Sequence, residues 1–222
     1  MKKILGIETS QTACSVAILQ GEDIISHHEI APRQQAKTVL SVVDKTLTQA
    51  NLSLNELDAI AFGSGPGSFT GLRIAAGVAQ GLAYSASLPV IPVSSLQVVA
   101  QSVYESTRIP HVVVAIDARL DEVYWGAYTL DEDSGLMKGE DNVSPPKCVL
   151  LPEVPDFALV GDGWTVYEGL MPAGEPSFKK DTVDADAAVL AKIASSQEGA
   201  VPASLGIPRY VRDKVAIDST GQ

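Results

Sequence analysis

Cysteine is scarce in this chain of 222 residues: there are two, Cys14 and Cys148. Two thiols so far apart build neither a disulfide framework nor a zinc-ligand spacing, and Cys14 sits in a strand pattern, so a reducing cytoplasm is the expected home. Histidine is nearly as rare, at His27, His28 and His111. His27 and His28 are adjacent, so in a strand they point to opposite faces and cannot chelate one ion. No metal site is expected, and no Ser–His–Asp grouping or activated cysteine follows from the order of residues. No apolar run is long enough to span a bilayer. The stretch after Lys2 and Lys3 meets Glu8 too soon to be the core of a secretion signal. Positive charge is short as well: 16 Lys and Arg against 27 Asp and Glu leave a formal net charge of −11. Strong independent nucleic-acid binding needs a basic surface that displaces counterions, so that class is excluded for the chain acting alone, though not beside a basic partner.

What the chain does have is glycine in one place. Gly63, Gly65, Gly67 and Gly71 follow an apolar run at 57–62 that reads as a buried strand, and a helix starts near Phe69. Ser68 or Thr70 suits the cap of that helix, whose free N–H groups form an anion site. The spacing is neither G-x-G-x-x-G nor a P-loop with its lysine. Two readings stay open, a tight structural turn and a corner that admits a phosphate.

The helix that follows is apolar over more of its surface than one core requires. At about 100° per residue, Leu72, Ala75, Ala76, Ala79, Leu82, Ala83 and Ala86 form one stripe. Ile74 and Val78 fall outside it, beside Gly81 and Ser85, while Arg73, Gln80 and Tyr84 fill the remaining sector. The apolar arc spans about 200°, and Gly77 and Gly81, four apart, permit close approach of a second helix. Either the helix is buried in one large core, or it has a core on one side and a partner on the other.

Elsewhere the chain alternates strands and helices. Strands are expected at 3–8, 14–19 and 24–30, then a helix opened by Pro32 and running from about Arg33 to Ala50. Its expected core stripe is Ala36, Val39, Leu40, Val43, Leu47 and Ala50, with Val42 off the stripe near Thr38. A strand at 89–93 and a helix capped by Ser94 or Ser95 complete a βββαβαβα order, which implies a mixed sheet with helices on its faces. The second half begins again with strands at 111–117 and 122–129. Order weakens over 135–155, before a short strand at 157–160 and a helix at 185–196 capped by Asp184. A boundary near 106–110 divides the chain into units 1–107 and 108–222, a duplicated α/β fold with an eroded second copy.

At this point the residues carry a resemblance. A first strand ending in Ile7-Glu8-Thr9, the SGPGSFTGLRIAAGVAQGLA segment from Ser64, IDARLDEVYW from Ile116 and PRYVRDKVA from Pro208 together resemble the TsaB (YeaZ) family. The resemblance implies the duplicated actin-like (ASKHA) fold, with two mixed-sheet subdomains, flanking helices and a reduced second copy. It implies a part in adding the threonylcarbamoyl group to the adenosine next to the tRNA anticodon, not as catalyst but as the dimerisation and stabilising subunit of the related TsaD. The ATPase TsaE joins that pair, TsaC-type enzymes supply the activated intermediate, and the chain forms a homodimer when alone. Thr38, Val42, Arg73, Ile74, Gly77, Val78, Gly81 and Ser85 are the expected interface. No cofactor is expected, tRNA is met only through the complex, and no membrane is involved.

The same resemblance frames two alternatives. TsaD is expected to hold a metal with a His-x-x-x-His pair on its first helix, and the matching helix here has none, with Gln35 where relatives often carry histidine. Actin-like ATPases place an Asp at the end of the first strand and another opening the second domain. Here those positions are Glu8 and Asp117, and with Thr9, Ser10, Gly65 and Gly67 they form the candidate vestigial nucleotide site. An actin-fold ATPase or small-molecule kinase is therefore the runner-up, and a metal-dependent enzyme the third reading.

Overall fold

The computed structural model describes residues 2–30, 34–182 and 185–212. Three strands, β1 (Lys3–Glu8), β2 (Ala13–Gln20) and β3 (Asp23–Ile30), form an antiparallel meander, followed by α1 (Gln35–Ala50). Next come β4 (Ala59–Gly65), α2 (Phe69–Ala86), β5 (Pro89–Ser94) and α3 (Ser95–Thr107). A second meander follows, of β6 (His111–Arg119), β7 (Glu122–Asp131) and β8 (Leu136–Gly139), with β9 (Asn142–Ser144) also paired to β7. The chain then forms β10 (Ala158–Val160), α4 (Gly163–Val166), β11 (Phe178–Lys180), α5 (Ala187–Ser196) and β12 (Val201–Pro202).

Duplication is visible in the strand order. The first sheet runs β12-β5-β4-β1-β2-β3 and the second β11-β10-β6-β7-β8. In each, a meander is extended beside its first strand by two parallel strands, β4 and β5 in one and β10 and β11 in the other. This is the actin-like architecture the resemblance implied.

Side-chain alternation distributes the core into layers. Leu5, Ile7, Val16, Ile18, Ile60 and Phe62 on one face of the first sheet meet Val39, Val42 and Val43 of α1 and Ala75, Ala79 and Ala83 of α2. Ile4, Ala61 and Val93 on the other face join α3, α5 and the inner residues Val112, Val114 and Ile116 of β6, so α3 and α5 lie between the sheets. The outer face of the second sheet is covered more thinly, by Val149, Phe157 and Trp164 of the α4 region. That thin cover is the reduction of the second copy.

Several expectations need correction. Val42 is buried at 1% exposure while Leu40 is 55% exposed, so the inward stripe of α1 is Val39, Val42, Val43 and Thr46. The displaced residue is Thr46, whose hydroxyl is satisfied inside the core by donating to the Val42 carbonyl at 2.6 Å and meeting His27 Nδ1 at 3.1 Å. The region 135–155 contains β8 and β9. The cap of α5 is Asp186, whose carboxylate accepts from Ala188 N at 2.8 Å. Pro32, Arg33 and Asp184 lie outside the described residues. Finally, α5 and β12 return to the first sheet, β12 pairing with β5 and α5 pressing onto β1. Gly6 makes that contact possible, since a Cβ there would lie 2.7 Å from the Ala187 carbonyl oxygen.

Candidate docking face and interlobe cleft

The helix α2 begins at Ser68, whose hydroxyl accepts from Gly71 N at 3.3 Å. Of the expected stripe, Leu72, Ala75, Ala76, Ala79 and Ala83 are buried, and Leu82 and Ala86 are half-buried. Arg73, Gly77, Gly81 and Ser85 are exposed, and Ile74 and Val78 are half-buried on the margin of the core. No heavy atom lies within 4 Å of the position a Cβ would take at Gly77 or Gly81. Thr38 is half-buried on α1, its hydroxyl donating to the Gln34 carbonyl at 3.3 Å. Val42 lies beneath this surface and offers nothing to a partner, while Leu40 stands exposed on the same helix. The expected interface, less Val42, is thus a surface with apolar margins and an open glycine strip.

Two aromatic residues belong to its edge and were not foreseen. The Arg73 guanidinium lies 3.9 Å over the Phe69 ring and donates from Nε to the Tyr210 hydroxyl at 3.2 Å. The Phe69 and Tyr210 rings are 5.7 Å apart. Sequence spacing marks Phe69 only as the start of the helix, and Tyr210 lies too far along the chain for any local pattern to join them.

The glycine loop is occupied by the protein itself. A Cβ at Gly71 would sit 2.0 Å from the Thr9 carbonyl oxygen, and one at Gly67 would sit 2.9 Å from Ser10 Cβ. Thr9 Oγ1 donates to the Gly71 carbonyl at 2.7 Å, and Ser68 N donates to the Ser10 carbonyl at 2.9 Å. These glycines let the turn after β1 dock against the start of α2. Gly65 supplies a left-handed backbone, with φ 108°. Glu8 is fully enclosed; its carboxylate accepts from Ser10 N and, at 2.9 Å, from Ser95 Oγ. Burial pushes its pKa up, opposed by those hydrogen bonds.

Between the two sheets opens a cleft of about 1050 Å³. Ser10, Gly67 and Asp117 line it, whereas Glu8, Thr9 and Gly65 do not. Asp117 is already engaged: Arg119 N and the Tyr167 hydroxyl donate to Oδ1 at 2.8 and 2.9 Å, and Arg119 Nη1 is 2.8 Å from Oδ2. Of the two carboxylates an actin-like ATPase would turn towards magnesium, one does not reach the cleft and the other is paired with a cation. The residues do not fit a magnesium nucleotide. Among the described residues no group of three or more His, Cys, Asp or Glu is placed to hold a metal ion. His27 is directed to α1 and His28 to the cleft.

Arg212 closes the far side. Its Nη2 donates to the carbonyls of Ala118 and Arg119 at 3.1 and 3.3 Å and to Glu122 Oε2 at 2.6 Å. It thereby steadies a turn in which Arg119, Leu120 and Asp121 all have positive φ, at 62°, 57° and 57°. A second buried carboxylate, Asp141, accepts from the Tyr128 hydroxyl and from Ser94 Oγ, tying the start of α3 to the second sheet.

Known proteins agree with these features. A family model described as TsaD: tRNA N6-adenosine threonylcarbamoyltransferase matches residues 22–215. The tRNA threonylcarbamoyladenosine biosynthesis protein TsaB of Escherichia coli strain K12 is 40% identical over 177 residues, 76% of this chain and 74% of that protein. The protein of the same name from Haemophilus influenzae is 40% identical over 173 residues, 74% of this chain and 73% of that one. The solved structure of YeaZ from Pseudomonas aeruginosa superposes with a TM-score of 0.88 at 40% identity, covering 95% of this chain and 100% of that one. No described helix is long and apolar enough to cross a membrane. With the two-sheet duplication, the glycine corner and these relatives together, the chain belongs to the TsaB (YeaZ) family and is related to TsaD.

Proposed function

We propose that this protein is a non-catalytic dimerisation and stabilising subunit in the threonylcarbamoylation of the adenosine beside the tRNA anticodon. Its partner is TsaD, TsaE joins the pair, and tRNA is met through the complex. The observation that carries this reading is the outer face of α2, where Gly77 and Gly81 lie open between Arg73 and the half-buried Ile74 and Val78. A helix with a buried stripe and an uncharged glycine strip on its other side suits a second helix at close range. A specific complex of this kind buries about 800 Å² per partner. The closed state of Glu8 and Asp117 supports assigning the chemistry to the partner.

Co-purification with the cognate TsaD, followed by a tRNA modification assay with and without this chain, tests the proposal. A stoichiometric complex on which modification depends, with no turnover by this chain alone, is the expected result. Phosphate release from ATP by a chain that stays apart from TsaD would overturn it in favour of an actin-fold ATPase. Within the complex, Gly77→Glu should abolish assembly while the monomer stays folded.

A further inference from the structure

Buried polar atoms without a partner are few in this fold, and most of them gather at one place. Among the described residues, four buried side-chain atoms have no hydrogen-bond partner: Ser10 Oγ, Gln11 Nε2, Asp141 Oδ2 and Arg212 Nε. Ser10, Gln11 and Arg212 all line the interlobe cleft, the first two from the turn after β1 and Arg212 from the far side. Ser10 is 1% exposed, so bulk water does not relieve its hydroxyl. Leaving such a group unpaired destabilises a fold, and a native structure that keeps several on one wall invites a ligand as their partner.

The start of α2 adds further donors to that wall. Gly67, Ser68 and Phe69 line the cleft beside Ser10, whose carbonyl accepts from Ser68 N. Ser68 serves Gly71 N with its hydroxyl and Leu72 N with its carbonyl, but the amides of Phe69 and Thr70 have no acceptor among the described residues. The N-terminus of an 18-residue helix favours negative charge.

Charges already in the cleft limit what that anion can be. Both arginines lining it are committed, Arg119 to Asp117 and Arg212 to Glu122, while Asp162 and Asp181 face the same space. A polyphosphate meets net repulsion there, whereas a single negative charge is matched by the helix terminus and the neutral donors. Ile30, Ile116, Tyr124 and Tyr210 supply apolar wall beyond those donors. The cleft volume, about 1050 Å³, lies at the upper end of the range for small-molecule sites.

We propose that the interlobe cleft binds a small organic monocarboxylate, its carboxylate held by Ser10, Gln11 and the first turn of α2 and its body directed towards Tyr124 and Arg212. Arg212 Nε then serves a second acceptor on the ligand, so that one molecule bridges the two lobes. The site stands apart from the docking face and does not depend on it.

Two measurements on the whole chain test this. The first needs no ligand. Ser10→Ala deletes a hydroxyl that nothing in the fold satisfies, so the ligand-free Tm should stay level or rise, and Gln11→Met should behave likewise. A clear fall in Tm for Ser10→Ala means that its hydroxyl already has an internal partner and overturns the proposal. The second is calorimetric titration with benzoate, phenylacetate, butyrate and inorganic phosphate as probes. At least one carboxylate should bind the wild type with a Kd of about 1 mM or tighter, and Ser10→Ala and Gln11→Met should each weaken it roughly tenfold. Binding that is equal in wild type and both variants places the carboxylate elsewhere and overturns the site. Phosphate bound more tightly than every carboxylate overturns the ligand class, and no binding by any of the three carboxylates overturns the proposal outright.

Discussion

The Glu8 carboxylate occupies the space into which a side chain at position 63 would grow, for a Cβ at Gly63 would lie 2.0 Å from Glu8 Oε2. The first glycine of the loop is thus fixed by a buried acid on the neighbouring strand. Gly63→Ala cannot be absorbed by a rotamer change, because Glu8 is itself held by Ser10 N and Ser95 Oγ. Overpacking beside a buried carboxyl group should cost about 1–3 kcal/mol, read as a lower urea midpoint with an unchanged m-value.

The pKa of Glu8 gives a signed dependence on pH. Burial raises it in the folded chain, so the native state binds the proton more tightly than the unfolded state does. Stability contributed through this group therefore rises as pH falls through the folded pKa, and the gain is complete below the ordinary value of 4.5. Comparing wild type with Glu8→Gln between about pH 8 and pH 4, the difference should move in favour of wild type on acidification. A difference flat across that range would contradict the account.

Tyr128→Phe should leave Asp141 short of its donor in a site where burial already raises the Asp141 pKa. Ser94 Oγ still donates to the same oxygen, so the cost is that of one hydrogen bond to a carboxylate, about 1.5–3 kcal/mol. The loss should shrink in acid, where Asp141 takes up a proton more readily in the folded chain than in the unfolded one. Urea unfolding at two pH values reads both effects.

Gly77→Ala separates folding from assembly. The site is open, so alanine meets no clash and should stabilise the monomer by about 0.5–1 kcal/mol through helix propensity. The same methyl group lies in the strip where a partner helix would approach, so the complex should weaken while the monomer melts higher. A variant improved in both respects would count against close helix contact at this position.

Much of this was legible along the chain because it is local. The buried stripe of α2, its Ser68 cap and the β6–β7 hairpin each follow from spacing and turn residues within a few positions. The inward stripe of α1 differs from the expected one because Thr46 reads as polar, yet its hydroxyl is satisfied inside the core by the Val42 carbonyl one turn back and by His27 on β3. Strands β8, β9, β11 and β12 are two to four residues long, so no period could announce them. At the candidate site, spacing identified the exposed strip of α2 but not its border. The meeting of Arg73 with Tyr210 spans 137 positions and exists only in three dimensions. The glycine loop was visible as a close-approach element. Which backbone it approaches, the Thr9–Ser10 turn, was not.

The return of α5 and β12 to the first sheet bears on synthesis. Until residues near 187–202 leave the ribosome, Gly6 and the inner face of β1 have no helix over them and the β5 edge has no closing strand. The N-terminal lobe must wait for a segment about 180 residues further along the chain with one apolar face incomplete. Such late, long-range closure slows folding and prolongs exposure to aggregation. The nascent chain should therefore depend on chaperones more heavily than its modest length suggests.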